Sequence, residues 1–167
     1  MAVSVNGNAG YNIGTDASVV VQDNYGDQFP LDALGHVMDV DTEADDTPIK
    51  ITPISNGGKP VFQVVWNGGH GRCSFTRVNG NLQQMILDLM RAYHDNGVIP
   101  RFTLSINVLN RDGTVDEYLY TGVQFTKPRL GNYKAMKEVD QALDFVWSDC
   151  IATGASAPFL SGLAAAA

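Results

Sequence analysis

Five carboxylates fall within eight residues: Asp39, Asp41, Glu43, Asp45 and Asp46. Hard cations are held by such oxygens, and a calcium loop would space them D-x-D-x-D-G with a closing Glu at the twelfth position. Counted from Asp39, the sixth position is Ala44, without the freedom of the required glycine, and the twelfth is Lys50. The run therefore reads as a solvated acidic loop, with Lys50 its nearest base, whose summed field acts on whatever faces it. Asn67-Gly68-Gly69-His70-Gly71-Arg72 has the glycine content of a phosphate cradle. It lacks the Gly-Lys-Ser/Thr ending and opens no helix, so it reads as a tight connection between strands. His36, His70 and His94 lie in three separate elements without a partner at metal-ligand spacing. Cys73 and His70 would make a nucleophile and its base, but they flank one predicted turn and no third group orients the imidazole. Neither G-x-S-x-G nor H-E-x-x-H occurs, and Asp140, Asp144 and Asp149 define no paired-carboxylate site. The expectation is a protein with no catalytic, cofactor-binding or metal residues, which is not an enzyme.

The whole-chain totals narrow the partners. A length of 167 residues suits one domain with a sizeable core. The net charge of -7 argues against a grip on nucleic acid by phosphate neutralisation, which needs a basic surface. It leaves room for a surface that DNA passes without sticking. No apolar run reaches the roughly 18 residues of a membrane span, and the first residues have neither the basic nor the apolar region of a signal peptide. Synthesis in the cytoplasm is expected, and no membrane partner. Cys73 and Cys150 read as two reduced, mostly buried thiols, with a disulfide within the chain or between copies as the alternative.

Residues 79–97 form the clearest helix. Leu82, Met85, Ile86, Leu89 and Tyr93 recur at helical period, Asn79 or Asn81 is placed to cap the first turn, and Asn96-Gly97 ends it. The surrounding chain alternates at period 2, so this helix (about 81–95) must lie across a sheet. Short strands are predicted at 17–22, 36–40 and 49–51. Residues 61–66 read as a strand buried on both faces, 67–71 as a turn and 72–78 as its return. A long hairpin follows: Phe102, Leu104, Ile106 and Val108 alternate with Thr103, Ser105 and Asn107, Asp112-Gly113 reverses the chain, and 114–126 returns until Pro128 breaks it. A last strand, 139–151, puts Leu143, Phe145, Trp147 and Ile151 on one side. The fold class is α+β, mainly β: a two-sheet sandwich or partly closed barrel with one packed helix. Three segments are expected: a polar N-terminal arm at 1–16, a β domain at 17–151 and a low-complexity tail at 152–167, docked through Phe159 and Leu160.

The element order carries a resemblance. Cys73-Ser74-Phe75-Thr76-Arg77-Val78 leads into Asn79-Gly80-Asn81-Leu82-Gln83-Gln84-Met85-Ile86. The hairpin from Phe102-Thr103-Leu104-Ser105 to Tyr120-Thr121-Gly122-Val123 follows, then Phe125-Thr126-Lys127-Pro128 and Ala142-Leu143-Asp144-Phe145-Val146-Trp147. Over residues 35–151 this pattern resembles the tail tube proteins of tailed bacteriophages and the related tube protein of type VI secretion. Residues 1–34 and the Ala-rich end have no counterpart in it.

The resemblance implies a structural protein of the virion tail, made in the host bacterial cytoplasm. It implies six-fold rings in which sheets of neighbours join around a channel, and rings stacked into a tube that conducts DNA without specific binding. Sheath, baseplate and tail terminator proteins are the expected partners besides the chain itself, and no cofactor is implied. On that reading Thr103, Ser105, Asn107, Gln124 and Thr126 face the channel, because uncharged polar groups neither bind nor strongly repel a passing polymer. Tyr11 and Ile13 lie in an arm along a neighbouring subunit. Asp41, Glu43, Asp45 and Asp46 form a partner-facing acidic loop. The competing reading is a monomeric β-sandwich module that recognises a receptor or a carbohydrate.

Overall fold

The structure, a computed structural model, describes residues 17–53, 57, 59–110 and 113–154. The predicted arm, with Tyr11 and Ile13, and the tail residues Phe159 and Leu160 lie outside the described residues. Eight strands and one helix follow one another as β1 (Ala17–Gln22), β2 (Gln28–Pro30), a 3₁₀ turn (Leu31–Ala33), β3 (His36–Ile51), β4 (Val61–Thr76), α1 (Asn81–Asn96), β5 (Phe102–Leu109), β6 (Val115–Arg129), β7 (Asp140–Trp147) and β8 (Asp149–Gly154). All pairings are antiparallel, in the order β2-β1-β5-β6-β7-β4-β3, with β8 added on β6. Among the described residues the path is open at both ends, so their sheet does not close.

Two sheets share β6. Up to Val123 this strand pairs with β5 and β8; from Gln124 onward it pairs with β7. The change occurs at Gly122, whose φ of 68° lies in the left-handed region that glycine enters at no steric cost. Because the strand switches there, Tyr120 and Val123 both point inward although their separation is odd. The core lies between the two inner faces: Val21, Leu104, Tyr120 and Val123 from one, Cys73, Phe75, Leu143 and Phe145 from the other, closed by Leu82 and Ile86 of α1.

The helix forms as its sequence predicts. Asn79 Oδ1 accepts the Asn81 amide at 3.0 Å, and Gly97 at φ 70° returns its N–H to the Tyr93 carbonyl at 2.7 Å. The Asn81 side-chain amide donates to the Ala33 carbonyl at 2.8 Å, tying the helix to the 3₁₀ turn. The apolar stripe is shorter than expected. Leu82 and Ile86 are buried and Met85 and Leu89 partly so, but Tyr93 is 51% exposed. One side of α1, from Asn81 to Ala92, borders a hollow.

Five further expectations are corrected. The predicted strands at 36–40 and 49–51 are one strand, β3, and the residues between them, the supposed acidic loop, belong to it. The reason is visible in the run itself: Asp39, Asp41 and Glu43 alternate with Val40, Thr42 and Ala44, the period of a strand with one wet face. Residues 67–71 do not turn the chain; β4 continues through them, with a register shift where Gly68 has φ 80°, and the reversal lies between Ile51 and Val61. Residues 61–66 are not buried on both faces but exposed throughout. Pro128 does not end β6, which reaches Arg129 through an irregularity where Lys127 has φ 43°. The last predicted strand is two, β7 and β8, split at Ser148; Ile151 is exposed in β8, and Ala152 and Thr153 belong to that strand rather than to the tail.

Candidate functional site

The outer face of the first sheet is built by β1, β5, β6 and β8. Thr103, Ser105 and Asn107 project from β5, directly opposite Gln22, Val20 and Ser18 of β1. Across from Asn107 on the other side is the carboxylate of Glu117. Its two oxygens are taken up by Ser105 Oγ and Thr153 Oγ1, each at 2.9 Å, which disperses the charge into the polar wall. These residues line a shallow hollow of about 240 Å³. Gln124 and Thr126 also project away from the core, but from β6 beyond the Gly122 bend. Gln124 lines a hollow with Asn67, Arg101 and Ser148, and Thr126 one with Asp41, His70 and Arg72. The five predicted wall residues thus fall into two groups, one on each sheet.

The outer face of the second sheet carries the acidic run. Glu43 pairs across the strands with His70, and Asp41 with Arg72. His70 Nδ1 lies 3.0 Å from the Asp45 carboxylate and Nε2 lies 3.1 Å from Glu43, so a doubly protonated ring donates to both. The hydrogen bond and charge of Asp45, with Glu43 adding to them, raise the His70 pKa above its ordinary value. Arg72 Nε stands 3.7 Å from Asp144 of β7. The bases nearest the acidic run are therefore His70 and Arg72, not Lys50; sequence distance hid a partner one strand away. Among the described residues no group of three His, Cys, Asp or Glu side chains is placed to hold a metal ion.

Cys73 and His70 do not form a nucleophile–base pair. Three residues apart on a continuous strand, they point to opposite faces, Cys73 into the core and His70 into water. Burial, with the charges of Asp39 and Asp144, pushes the Cys73 thiol up to about 12. Cys73 and Cys150 are both free thiols. No helix among the described residues is long and apolar enough to cross a membrane.

Two surfaces escaped the sequence reading. Beyond Gly69, β4 loses its neighbour β7, and, among the described residues, 61–66 pair only with residues 46–51 of β3. The result is a two-stranded arm reaching about 20 Å past the body of the sheet, at roughly 3.3 Å per residue. Phe62 is 64% and Trp66 70% exposed on it, and Ile49, Ile51, Val61, Val64 and Val65 are exposed as well. The signal was present as an apolar run on both faces, but such a run looks the same whether its cover comes from its own chain or from elsewhere. The second surface is the apolar hollow of about 550 Å³ between α1 and the β2–3₁₀ segment, lined by Phe29, Leu34, Met85, Leu89, Pro100 and Phe102.

No protein-family profile and no curated protein sequence matches the chain. Solved structures do. A chain of an extracellular contractile injection system, the PVC sheath-tube complex in its extended state, superposes with a TM-score of 0.65 at 12% identity, covering 91% of this chain and 99% of that one. The tube-terminating cap of the anti-feeding prophage gives 0.62 at 15% identity over 93% and 100%. The SPP1 tail tube gives 0.53 at 10% identity over 88% and 81%. The fold is thus the one found in tail tubes of phages and contractile injection systems. It extends over residues for which the sequence resemblance offered no counterpart.

Proposed function

We propose that this chain is the structural subunit of a tail tube. It polymerises as stacked hexameric rings into a conduit for DNA at genome ejection, within a virion tail assembled from protein made in the host bacterial cytoplasm. The observation that carries the proposal is the set of surfaces that the described residues leave uncovered: the long outer edge of β3, the outer edge of β8 and the apolar β3–β4 arm. Unpaired edges and exposed apolar strands invite pairing with another chain, and monomeric proteins blunt or cover them. The same surfaces weigh against the monomeric binding module. The whole-chain likeness to tube-bearing assemblies supports the choice of a ring, since a heterologous contact that closes makes one.

In this tube Thr103, Ser105 and Asn107, with Gln124 and Thr126, face the channel, where hydroxyl and amide groups give phosphates nothing to bind strongly. Tyr11 and Ile13 lie along a neighbouring subunit. The acidic segment of β3, Asp41, Glu43, Asp45 and Asp46, faces a partner such as a sheath subunit; baseplate and terminator proteins meet the tube at its ends. Negative-stain imaging of the purified protein at high concentration tests the proposal: rings or rods are expected, and uniform 18.0 kDa monomers would contradict it.

A further inference from the structure

The end of β6 and its link to β7 combine charge with backbone strain. Residues 127–137 hold four bases, Lys127, Arg129, Lys134 and Lys137, and no acid, in a chain of net charge -7. Among the described residues none of the four makes an ion pair. The two non-glycine residues with positive φ among the described residues, Lys127 at 43° and Met136 at 61°, both lie here. Met136 is the sharper case. The Lys137 amide donates to the Lys134 carbonyl at 3.4 Å, a turn whose third residue is Met136, where positive φ makes glycine the usual choice. The Met136 side chain is fully exposed, so no packing within the chain offsets the strain. The loop is nonetheless braced. Gln141, only 1% exposed, donates Nε2 to the Leu130 carbonyl at 2.6 Å, and the Arg77 amide donates to the Val139 carbonyl at 2.9 Å. The Tyr133 hydroxyl accepts from Gln83 Nε2 at 3.3 Å, and the Arg77 guanidinium stands 5.6 Å from the centre of the Tyr133 ring. The fold thus holds an apolar side chain out in water between two lysines, three residues after an exposed tyrosine backed by an arginine.

We infer that this loop docks a carboxylate-rich segment of a different protein, with Met136 seated on an apolar residue of that segment and Lys134 and Lys137 on its acids. Charge complementarity sets the sign of the partner. Met136 and Tyr133 set its class. An adaptable thioether and an aromatic ring grip apolar protein surface, whereas the phosphate backbone of a nucleic acid offers them only charge. One methionine and one tyrosine bury too little apolar area to hold a bilayer. The loop is opposite in sign to the acidic face of β3, so the two surfaces select different proteins. This inference goes beyond the tube proposal and does not depend on it.

The test titrates the full chain with a dye-labelled peptide of alternating glutamate and leucine, and with one of alternating glutamate and serine. The leucine peptide is expected to bind, and to bind roughly tenfold more weakly when Lys134→Glu and Lys137→Glu are combined or when salt is added. Met136→Gly separates docking from folding. Glycine takes that φ without strain, so the variant is expected to keep or raise the thermal midpoint. It should nevertheless weaken the leucine peptide several-fold and leave the serine peptide unchanged. A Met136→Gly variant that binds the leucine peptide like the parent would overturn the docking role of the side chain. No binding of the leucine peptide by the parent, or tighter binding of a DNA duplex or of phosphatidylserine vesicles, would overturn the partner class. Loss of self-assembly in the Lys134→Glu, Lys137→Glu variant would assign the loop to a contact between copies and overturn the proposal as well. Failure of the parent to form rings bears on the tube proposal alone.

Discussion

The ring of Phe145 lies across Gly71, its direct cross-strand partner, so closely that a Cβ on the glycine would overlap the ring and the Asp41 carbonyl. Trp147 covers Gly69 in the same way, two pairs further along β4 and β7. The glycines are in a strand because aromatic side chains of the neighbouring strand occupy the space their own side chains would need. Gly71→Ala is therefore expected to cost about 1–3 kcal/mol, the usual penalty of overpacking a filled core. Gly80→Ala, where a Cβ meets nothing within 4 Å, serves as the control. Equal denaturation midpoints for the two variants would contradict this account of β4.

That pair also marks where the sequence misleads. Three glycines in five residues read as a turn, because local chemistry cannot distinguish a glycine that bends the chain from one that yields to a ring 74 positions away. Helix α1 and the β5–β6 hairpin were legible since each is fixed by its own periodicity and caps. The acidic run was misread through its charge: Asp39, Asp41 and Glu43 drew attention away from Val40, Thr42 and Ala44 between them. The alternating polar residues of β5 were legible as one face. The split of the five wall residues was not, because it depends on Gly122 and the exchange of partners along β6. The arm was legible as strand but not as surface, and the hollow under α1 had no local signature at all.

His70 makes the acidic face sensitive to pH. Its folded pKa is raised above the unfolded value of about 6.5. Its contribution to stability is thus fully present below that value and disappears as pH rises through the folded pKa. The thermal midpoint of the parent relative to His70→Gln is expected to be higher at pH 5.5 than at pH 8.5. The difference should shrink with added salt, because all three side chains are exposed. An imidazole titration at or below the ordinary histidine value would refute the arrangement.

The two thiols should differ. Cys73 is fully buried with its pKa near 12, while Cys150 is only partly buried. At pH 8 a thiol reagent is expected to modify Cys150 slowly in the folded protein and Cys73 only after denaturation. Rapid modification of both cysteines under native conditions would show that the core between the sheets is not closed as described.

Neutralising Asp41, Glu43, Asp45 and Asp46 to Asn or Gln removes the charge of one strand face without altering its shape. Ring formation is expected to survive, and attachment of a basic partner such as a sheath subunit to weaken and lose its salt dependence. Rings that no longer form would assign this segment to the contact between subunits instead.

The central claim is a closed ring of identical chains, and sedimentation velocity of the purified protein over a wide concentration range addresses it most directly. A species with six times the mass of the 18.0 kDa chain, giving way to longer rods as concentration rises, is the predicted result. A single species at the mass of one chain across the whole range would contradict it.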